Sequence, residues 1–519
     1  MESFSVDAFV RMLAIIGGII VVAALLSGLV DRTGLPQVAV FLGLGAVLGP
    51  AGLGLLQVTL DSPALRVVAT ISLILVLFGD AITLDAAEIR RHAGLVLLIL
   101  GPGTILTAAL VGLAGWGLLG LAPAVAAILG AALASTDPVL VRSVLRARGL
   151  PMTARQALRL ESGLNDAVLL PIVLVAIALL SQGSGGEDGG VRFAMNLLLL
   201  GPGAGVAVGL VAVAALDLIR RRIGVLRDYE SLYAIGTAFA AYAAAEALHG
   251  SGFLAAFTAG VTIAALDVEL CDCFIEYGQT TAEMALLFTF VLLGGSLIWS
   301  GIGFLGPATL LFVVAAVLLR PVVYFASLVP ARLERRARLI IVWFGPRGLS
   351  SLLLVLLAVF AGVPGSDYLF AMCSLVVLAS LVVHGGTPAV LARLERRGQS
   401  GSDAAGGALL GSATPTEGGA ATLPRPPLAG GEDRGGPMTI TAQTEIERAP
   451  DAGRISIAEL LELWQSGAVV QILDVRTERT YNRDSLQGAG AMRLEPDHVA
   501  QRAVELALPR DAWIVAYCT

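Results

Sequence analysis

The chain has 519 residues, of which 56% are hydrophobic and only 14% are charged, with a formal net charge of −6. A soluble domain is roughly 45–50% apolar and about 25% charged, so most of this chain must be solvated by lipid. The chain contains Arg but no Lys, which excludes lysine chemistry such as Schiff-base catalysis. Any fixed positive charge within the membrane must therefore be an Arg guanidinium, which does not lose its proton in proteins.

Apolar stretches of about 20 residues, long enough to cross a bilayer, recur along most of the chain. They predict an all-α membrane protein with about thirteen spans, at 9–30, 35–55, 63–84, 93–120, 122–146, 156–181, 192–219, 230–248, 252–268, 279–299, 303–329, 338–361 and 367–391.

The basic residues of the connecting loops predict the orientation of these spans. Positive charge concentrates on the cytoplasmic side of a membrane protein. With the N-terminus outside, the outer loops carry only Arg11, Arg66 and Arg192. The inner loops carry Arg32, Arg90, Arg91, Arg146, Arg148, Arg155, Arg220, Arg221, Arg222, Arg227, Arg332, Arg335, Arg336, Arg338, Arg393, Arg396 and Arg397. We therefore expect a multi-pass protein of the inner (plasma) membrane with a cytoplasmic C-terminus.

The composition changes abruptly after the last predicted span and divides the chain into three parts. Residues 1–397 form the transmembrane domain, and residues 398–450 are rich in Gly, Ala, Pro, Thr and Ser, which predicts a flexible linker. From about residue 451 a soluble pattern begins. ISIAELLELWQSG predicts an amphipathic helix, and VVQILDVR and WIVAYC predict buried strands, so a small α/β domain is expected at 451–519.

Charged side chains lie near the centre of several predicted spans, where each costs at least about 2.5–3.5 kcal/mol. The sixth span contains the sequence RLESGLNDAVLLP. At 1.5 Å per residue, polar residues of the fifth, sixth, eleventh and twelfth spans reach a common depth. The charged residues at this depth are Asp137, Glu161, Asp166, Arg320 and Arg347. Because both signs of charge are present at one level, ion pairing can offset the cost of burial.

Two of these spans also carry helix-breaking sequences at the same depth. Pro138 lacks an N–H and disfavours helical geometry at the residue before it, and Gly345-Pro346-Arg347-Gly348 should interrupt the twelfth span. The two breaks lie seven spans apart, so the helices run in opposite directions. Paired interrupted helices in antiparallel halves indicate an inverted-repeat transporter with a site near the membrane midplane.

The polar residues at this depth have structural as well as functional interpretations. We expect Glu161 to form a buried ion pair and Asp137 to brace a broken helix. Thr136 and Ser162 are equally suited to ion ligation and to helix packing. Asp166 lies five residues after Glu161 and therefore faces another side of the helix, which favours a functional role. A carboxylate in a wet cavity holds either a proton or a small cation, and this competition couples the two ions.

The segments LPQVAVFLGLGAVLGP, STDPVLV, ESGLNDAV, HGSGFLAAFTAG and WFGPRGLSS, in this order, resemble the NhaP-type sodium/proton antiporters of the cation:proton antiporter superfamily. The resemblance covers roughly residues 10–392. It implies a homodimer whose protomers each have a dimerisation domain and a mobile core with two crossed, broken helices. It further implies exchange of Na⁺ or Li⁺ for H⁺ by alternating access, in pH and sodium homeostasis, with no cofactor, no metal beyond the transported cation and no nucleic-acid partner.

The resemblance also implies roles for individual residues. Asp166 would bind the cation and the proton, with Thr136, Ser162 and the adjoining Asp137 at the site. Asn165 replaces a second Asp of the electrogenic branch, which implies electroneutral exchange.

Four further positions of this sequence acquire expected roles in the same way. Glu161 would pair with Arg320, with Arg347 close by. Asp80 is a possible additional ligand, although it is shifted by about one residue from the family pattern. A K⁺/H⁺ antiporter is the alternative within this class of transporter.

The tail segments ILDVRTERTY, GAGAMRL and WIVAYC resemble a rhodanese domain, with Cys518 at the position of the sulfur-carrying cysteine. The loop of backbone amides that would cradle a persulfide does not follow Cys518, so we expect an incomplete and catalytically inactive domain. A membrane-anchored rhodanese-type sulfurtransferase or redox sensor is the alternative of another class. Cys271 and Cys273 are spaced like two metal ligands, but the sequence offers no second pair.

Overall fold

The computed structural model divides the chain into two compact units, residues 1–415 and 416–519. The structure describes residues 17–18, 21–22, 25, 37–84, 86–145, 150–181, 187–222, 227–266, 272–385, 460, 469–475, 491–494 and 513–517. The predicted span 9–30 lies almost wholly outside these residues, and the linker 398–450, Cys271 and Cys518 lie entirely outside them.

The first unit is helical wherever the structure describes regular elements. Its helices are α1 (Gln37–Leu48), α2 (Pro63–Ile82), α3 (Ala86–Arg91), α4 (Ala93–Leu98), a π-helical segment (Ile99–Ile105), α5 (Leu106–Leu119), α6 (Pro123–Ala134), α7 (Pro138–Leu145), α8 (Met152–Ser181), α9 (Glu187–Arg222), α10 (Arg227–Ala247), α11 (Gly252–Ala265), α12 (Asp272–Gly295), a 3₁₀ segment (Leu297–Phe304), α13 (Pro307–Ser327), α14 (Arg335–Trp343), α15 (Leu349–Phe360) and α16 (Ser366–Gly385).

The described helices account for a polytopic membrane protein. Seven helical stretches are long and apolar enough to cross a bilayer, and the bent pair formed by the end of α12 and the 3₁₀ segment would make eight. Each predicted span from residue 35 onward contains a helix, but several are short or interrupted, including α1, α11 and α15. The number of thirteen spans therefore stays a prediction.

Local sequence explains where several helices begin and how closely they pack. Pro63, Pro123 and Pro307 each occupy a first turn, where the missing N–H has no helical acceptor. A Cβ added at Gly205 of α9 would collide with Ala255 of α11, so glycine sets the close approach of these two helices.

The helices pack into two bundles. The α2 bundle comprises α1, α2 and α9–α12, and the α8 bundle comprises α5–α8 and α13–α16. Contacts within each bundle are extensive. Between the bundles, the helices that meet include α2 with α8 and α15, and α11 with α8. α2 therefore lies along the boundary.

Two helical stretches of the α8 bundle are each broken into two helices. α6 ends at Ala134 and α7 begins at Pro138, while α14 ends at Trp343 and α15 begins at Leu349. The breaks predicted at Pro138 and at the Gly-Pro-Arg-Gly sequence are thus confirmed. Each break exposes backbone groups that a continuous helix would pair internally.

The second unit contains a three-stranded parallel sheet of β1 (Val470–Asp474), β2 (Met492–Arg493) and β3 (Trp513–Tyr517), in the order β2-β1-β3. Both strands predicted from the sequence are present. Of the predicted amphipathic helix, only Leu460 is described, and it is helical. The likeness of this unit to a rhodanese domain stays a prediction.

Candidate ion site at two broken helices

The two helix breaks touch each other through the backbone and through one carboxylate. The N–H of Asp137 donates to the carbonyl of Pro346 (3.0 Å). The Asp137 Oδ1 accepts from the N–H groups of Val139 (2.8 Å) and Leu140 (3.1 Å), and its Oδ2 accepts from the N–H of Leu349 (2.6 Å). A single carboxylate therefore caps the positive N-terminal ends of both α7 and α15.

Two arginines bind backbone carbonyls at the C-terminal ends of the helices that precede the breaks. Arg347 donates from Nη1 to the carbonyl of Ala134 (2.7 Å) and to that of the next residue (3.0 Å), at the C-terminal end of α6. Arg320 donates from Nη1 to the carbonyls of Ile341 (3.2 Å) and Val342 (3.0 Å), in the last turn of α14. Each helix end at the breaks thus faces a side chain of the opposite charge.

Glu161 on α8 forms a buried ion pair and accepts further hydrogen bonds from two hydroxyls. Arg320 donates from Nη2 to both carboxylate oxygens, at 2.7 and 2.9 Å, and the two side chains are only 2% and 1% exposed. The hydroxyls of Tyr324 (3.0 Å) and Thr136 (2.9 Å) also donate to Oε1. The Arg320 guanidinium lies 4.1 Å from the centre of the Tyr324 ring, a cation–π contact. The two opposite charges are therefore in direct contact and offset each other.

Asp166 has a different environment, although it lies on the same helix. Its Oδ1 accepts a hydrogen bond from the Ser135 hydroxyl in the first break (2.7 Å), and the residue is 4% exposed. Within the part of the chain that the structure describes, no arginine lies within ion-pair distance of this carboxylate. Among the described residues, the hydrogen-bond partner of the Asp166 carboxylate is therefore a neutral hydroxyl.

The other predicted site residues include Ser162 and Asn165 on α8 and Thr136 in the first break. Ser162 donates to the carbonyl of Arg159 within its own helix (3.2 Å), so its oxygen lone pairs remain available. The Asn165 Nδ2 points to the carbonyl of Thr136 (3.5 Å), and its buried Oδ1 makes no hydrogen bond within the described residues. The structure thus brings Asn165 and Thr136 together at the first break.

Asp80 lies two residues before the end of α2, on the α2 bundle, and is partly exposed. Its backbone carbonyl accepts from the Thr83 hydroxyl (2.8 Å). The Thr83 carbonyl in turn lies 3.4 Å from the Nη2 of Arg159 on α8. This end of α2 is therefore close to the helix that carries Asp166.

Sequence reasoning missed several residues that build this site. Ser135 and Tyr324 are ordinary in sequence, and no signal marks their hydroxyls as partners of Asp166 and Glu161. Two glycines carry a signal in the Gly-Pro-Arg-Gly motif. A Cβ at Gly345 would collide with the Arg320 guanidinium, and one at Gly348 would collide with the Asp137 carboxylate. The motif therefore makes room for charged groups as well as breaking a helix.

The chain is similar to several known cation/proton antiporters. The K⁺/H⁺ antiporter NhaP of Alkalimonas amylolytica is 26% identical over 406 residues, which cover 77% of this chain and 69% of the relative. The Na⁺/H⁺ antiporter NhaH of Halobacillus dabanensis is 26% identical over 329 residues, covering 60% of this chain and 79% of the relative. The solved structure of the sodium proton antiporter MjNhaP1 from Methanocaldococcus jannaschii shares the fold, with a TM-score of 0.58 at 20% identity over 73% of this chain and 97% of that chain.

The family model described as "Sodium/hydrogen exchanger, transmembrane" matches residues 19–394. This match includes both broken helices and every buried charge of the candidate site, and it ends before the linker and the second unit. The chain therefore belongs to the transmembrane sodium/hydrogen exchanger family.

Proposed function

We propose that this protein is a secondary active antiporter that exchanges Na⁺ or Li⁺ for H⁺ by alternating access, with one positive charge moving in each direction. The observation that carries the proposal is the buried carboxylate of Asp166, which lies at the helix breaks with a neutral hydroxyl as its partner.

The buried charges around the breaks balance without Asp166. Asp137 and Glu161 contribute two negative charges, and Arg320 and Arg347 contribute two positive charges. All four are engaged with helix ends or with each other, so none is free to change its charge cheaply. An ionised Asp166 is a surplus negative charge in a medium of low dielectric constant, and it needs either a proton or a cation.

This surplus explains why the two ions exclude each other. A proton on Asp166 removes the charge that attracts the cation, and a bound cation disfavours the proton. Because Asn165 is neutral, the site gains and loses a single charge, which supports one cation per proton. We assign Thr136, Ser162 and Asn165 to the oxygen ligands beside Asp166, with Asp80 as an additional ligand reached across the bundle boundary.

Alternating access requires one part of the protein to move against another while the site stays intact. Both helix breaks and Asp166 lie in the α8 bundle, so we assign this bundle to the moving core. We assign the α2 bundle to the dimerisation domain of a homodimer in the inner membrane, with the N-terminus outside and the C-terminus in the cytoplasm.

K⁺ is the second candidate cation. It is favoured by the 26% identity to the relative from Alkalimonas amylolytica, which is named as a K⁺/H⁺ antiporter, and to a K⁺/H⁺ antiporter NhaP2 of Shewanella sp. (strain MR-4) at the same identity over 403 residues. The residues around Asp166 are compatible with either ion, since oxygen ligands bind both.

Purified protein in proteoliposomes with an imposed pH gradient tests the proposal. Na⁺, Li⁺ and K⁺ are added in turn, and each cation that the protein transports should dissipate the pH gradient. Asp166→Asn should abolish the response, since a neutral amide cannot exchange a proton for a cation. Asp367→Asn is the matched control, because Asp367 is exposed in the first turn of α16. Normal exchange by a folded Asp166→Asn protein would refute the assignment.

A further inference from the structure

The two ends of α2 each hold the α8 bundle through an arginine and a backbone carbonyl. Arg66, in the first turn of α2, contacts the last residue of α15, and Arg159 of α8 contacts Thr83, just beyond the last residue of α2. The 17 residues from Arg66 to Thr83 correspond to about 26 Å of helix, so the two contacts lie near opposite faces of a ~30 Å hydrocarbon core. They therefore sit at the two mouths of the bundle boundary.

The contact at the Arg66 end is short and has two components. The Arg66 Nη2 donates to the carbonyl of Phe360 (2.6 Å), and its guanidinium lies 5.1 Å from the centre of the Phe360 ring. Because Phe360 ends α15, the carbonyl also carries the negative end of the helix dipole. A cavity of ≈ 220 Å³ lined in part by Asp61, Ser62 and Val359 lies beside this contact.

The contact at the other end is much looser. The Arg159 Nη2 lies 3.4 Å from the carbonyl of Thr83, near the limit for a hydrogen bond. Both arginines are exposed to solvent. The arginine contact across the boundary is therefore tighter at the Arg66 mouth than at the Arg159 mouth.

We infer that Arg66 is a latch that holds its mouth closed in this conformation, and that it must release Phe360 whenever the α8 bundle moves to open that mouth. Arg66 is a positioning residue that biases the two states of the transporter and does not touch the ion. By the orientation predicted from loop charges, this mouth opens to the outside. The inference rests on the proposed exchange by alternating access.

Removal of the latch should change the apparent affinities at the two faces in opposite directions. A ligand binds more weakly when its binding-competent state is less populated, so a shift toward the state open at the Arg66 mouth strengthens binding there and weakens it at the other face. Arg66→Ala removes both components, whereas Arg66→Lys keeps the charge but loses the planar fork. Phe360→Leu removes the ring and keeps the carbonyl.

The half-saturating cation concentration can be measured from each face with right-side-out and everted membrane vesicles of the full-length protein. For Arg66→Ala we expect it to fall by roughly threefold to tenfold at the Arg66 face and to rise at the opposite face, with Arg66→Lys and Phe360→Leu showing smaller shifts of the same sign. Arg222→Ala, an exposed arginine at the end of α9, is the matched control.

Two measurements, transport kinetics from each face and hydrogen exchange, test the latch. Equal loss of rate at both faces, with unchanged half-saturating concentrations, would overturn the latch. Faster hydrogen exchange of the amides at 359–362 in Arg66→Ala, with other helices unchanged, would support it; unchanged exchange there would oppose it. If the wild-type protein shows no cation–proton exchange from either face, the proposed function fails, whereas an active protein indifferent to Arg66→Ala refutes only the latch.

Discussion

Glu161→Gln changes a single group of the side chain but removes its negative charge. We expect this substitution to destabilise the α8 bundle strongly. Glu161→Gln replaces one carboxylate oxygen with an NH₂ group of nearly equal size. The carboxylate accepts from Arg320 on both oxygens and from Tyr324 and Thr136 on Oε1. The amide has only one acceptor oxygen, so its NH₂ must face a donor that previously had a partner.

The magnitude follows from the burial of the pair. Arg320 is 2% exposed and keeps its charge, so the substitution leaves a buried guanidinium without its counter-charge. Removal of one partner from a buried pair costs about 3–5 kcal/mol. The lost pairing of Tyr324 or Thr136 lies within that range, because it belongs to the same network. We expect the free energy of unfolding to fall by about 3–5 kcal/mol.

A double-mutant cycle measures the coupling directly. Unfolding of the purified protein in mixed detergent micelles can be followed by the fluorescence of its 5 Trp residues. Glu161→Gln and Arg320→Gln should each be severely destabilising, and the double variant should lose much less than the sum of the two, since it leaves no unpaired charge. Glu161→Asp retains the charge and should fall between wild type and Glu161→Gln. Additive losses, or a Glu161→Gln protein within about 0.5 kcal/mol of wild type, would refute the reasoning.

Two further substitutions test the neighbouring parts of the site. Ser135→Ala removes the hydroxyl that stabilises ionised Asp166, so proton release from this carboxyl becomes harder. The loss of a charge-assisted hydrogen bond of about 1.5 kcal/mol should move the pH profile of exchange upward by about one unit. A downward shift would contradict this role. Gly348→Ala should displace the Asp137 carboxylate and lower the unfolding free energy by about 2–4 kcal/mol in the same micelle assay. Gly117→Ala on α5, where a Cβ meets open space, should have little effect, and equal stability of the two variants would exclude the clash.

Local chemistry made the helix breaks predictable. Pro138 cannot donate a backbone hydrogen bond, and Gly345-Pro346-Arg347-Gly348 combines three helix-breaking residues, so both interruptions follow from the sequence without knowledge of neighbours. The separation of Asp166 from Glu161 is equally local, because five residues turn the helix by about 500°. Hydropathy likewise placed helices within all the described spans, although it could not locate the termini of short helices such as α1 and α11.

Partner assignment required the tertiary structure. Asp137 and the N–H of Leu349 are 212 positions apart, and Tyr324 and Glu161 are 163 apart, so nothing local marks them as partners. The expectation that Asp137 braces a broken helix left out half of its geometry, because this carboxylate caps the ends of two helices. The same applies to Ser135, whose hydroxyl could have faced any of several neighbours.

The sequence by itself determined that this is a polytopic membrane protein with two broken helices and charges of both signs at one depth. These properties follow from side-chain transfer energies, helix rise and the backbone chemistry of Pro and Gly, which act over a few residues. Only the tertiary structure decided which charges cancel one another and which one is left over. Pairing depends on helices hundreds of residues apart meeting within hydrogen-bond distance. Among the five charged residues around the breaks, this packing gives Asp166 the Ser135 hydroxyl, a neutral group, as its hydrogen-bond partner in the described part of the chain.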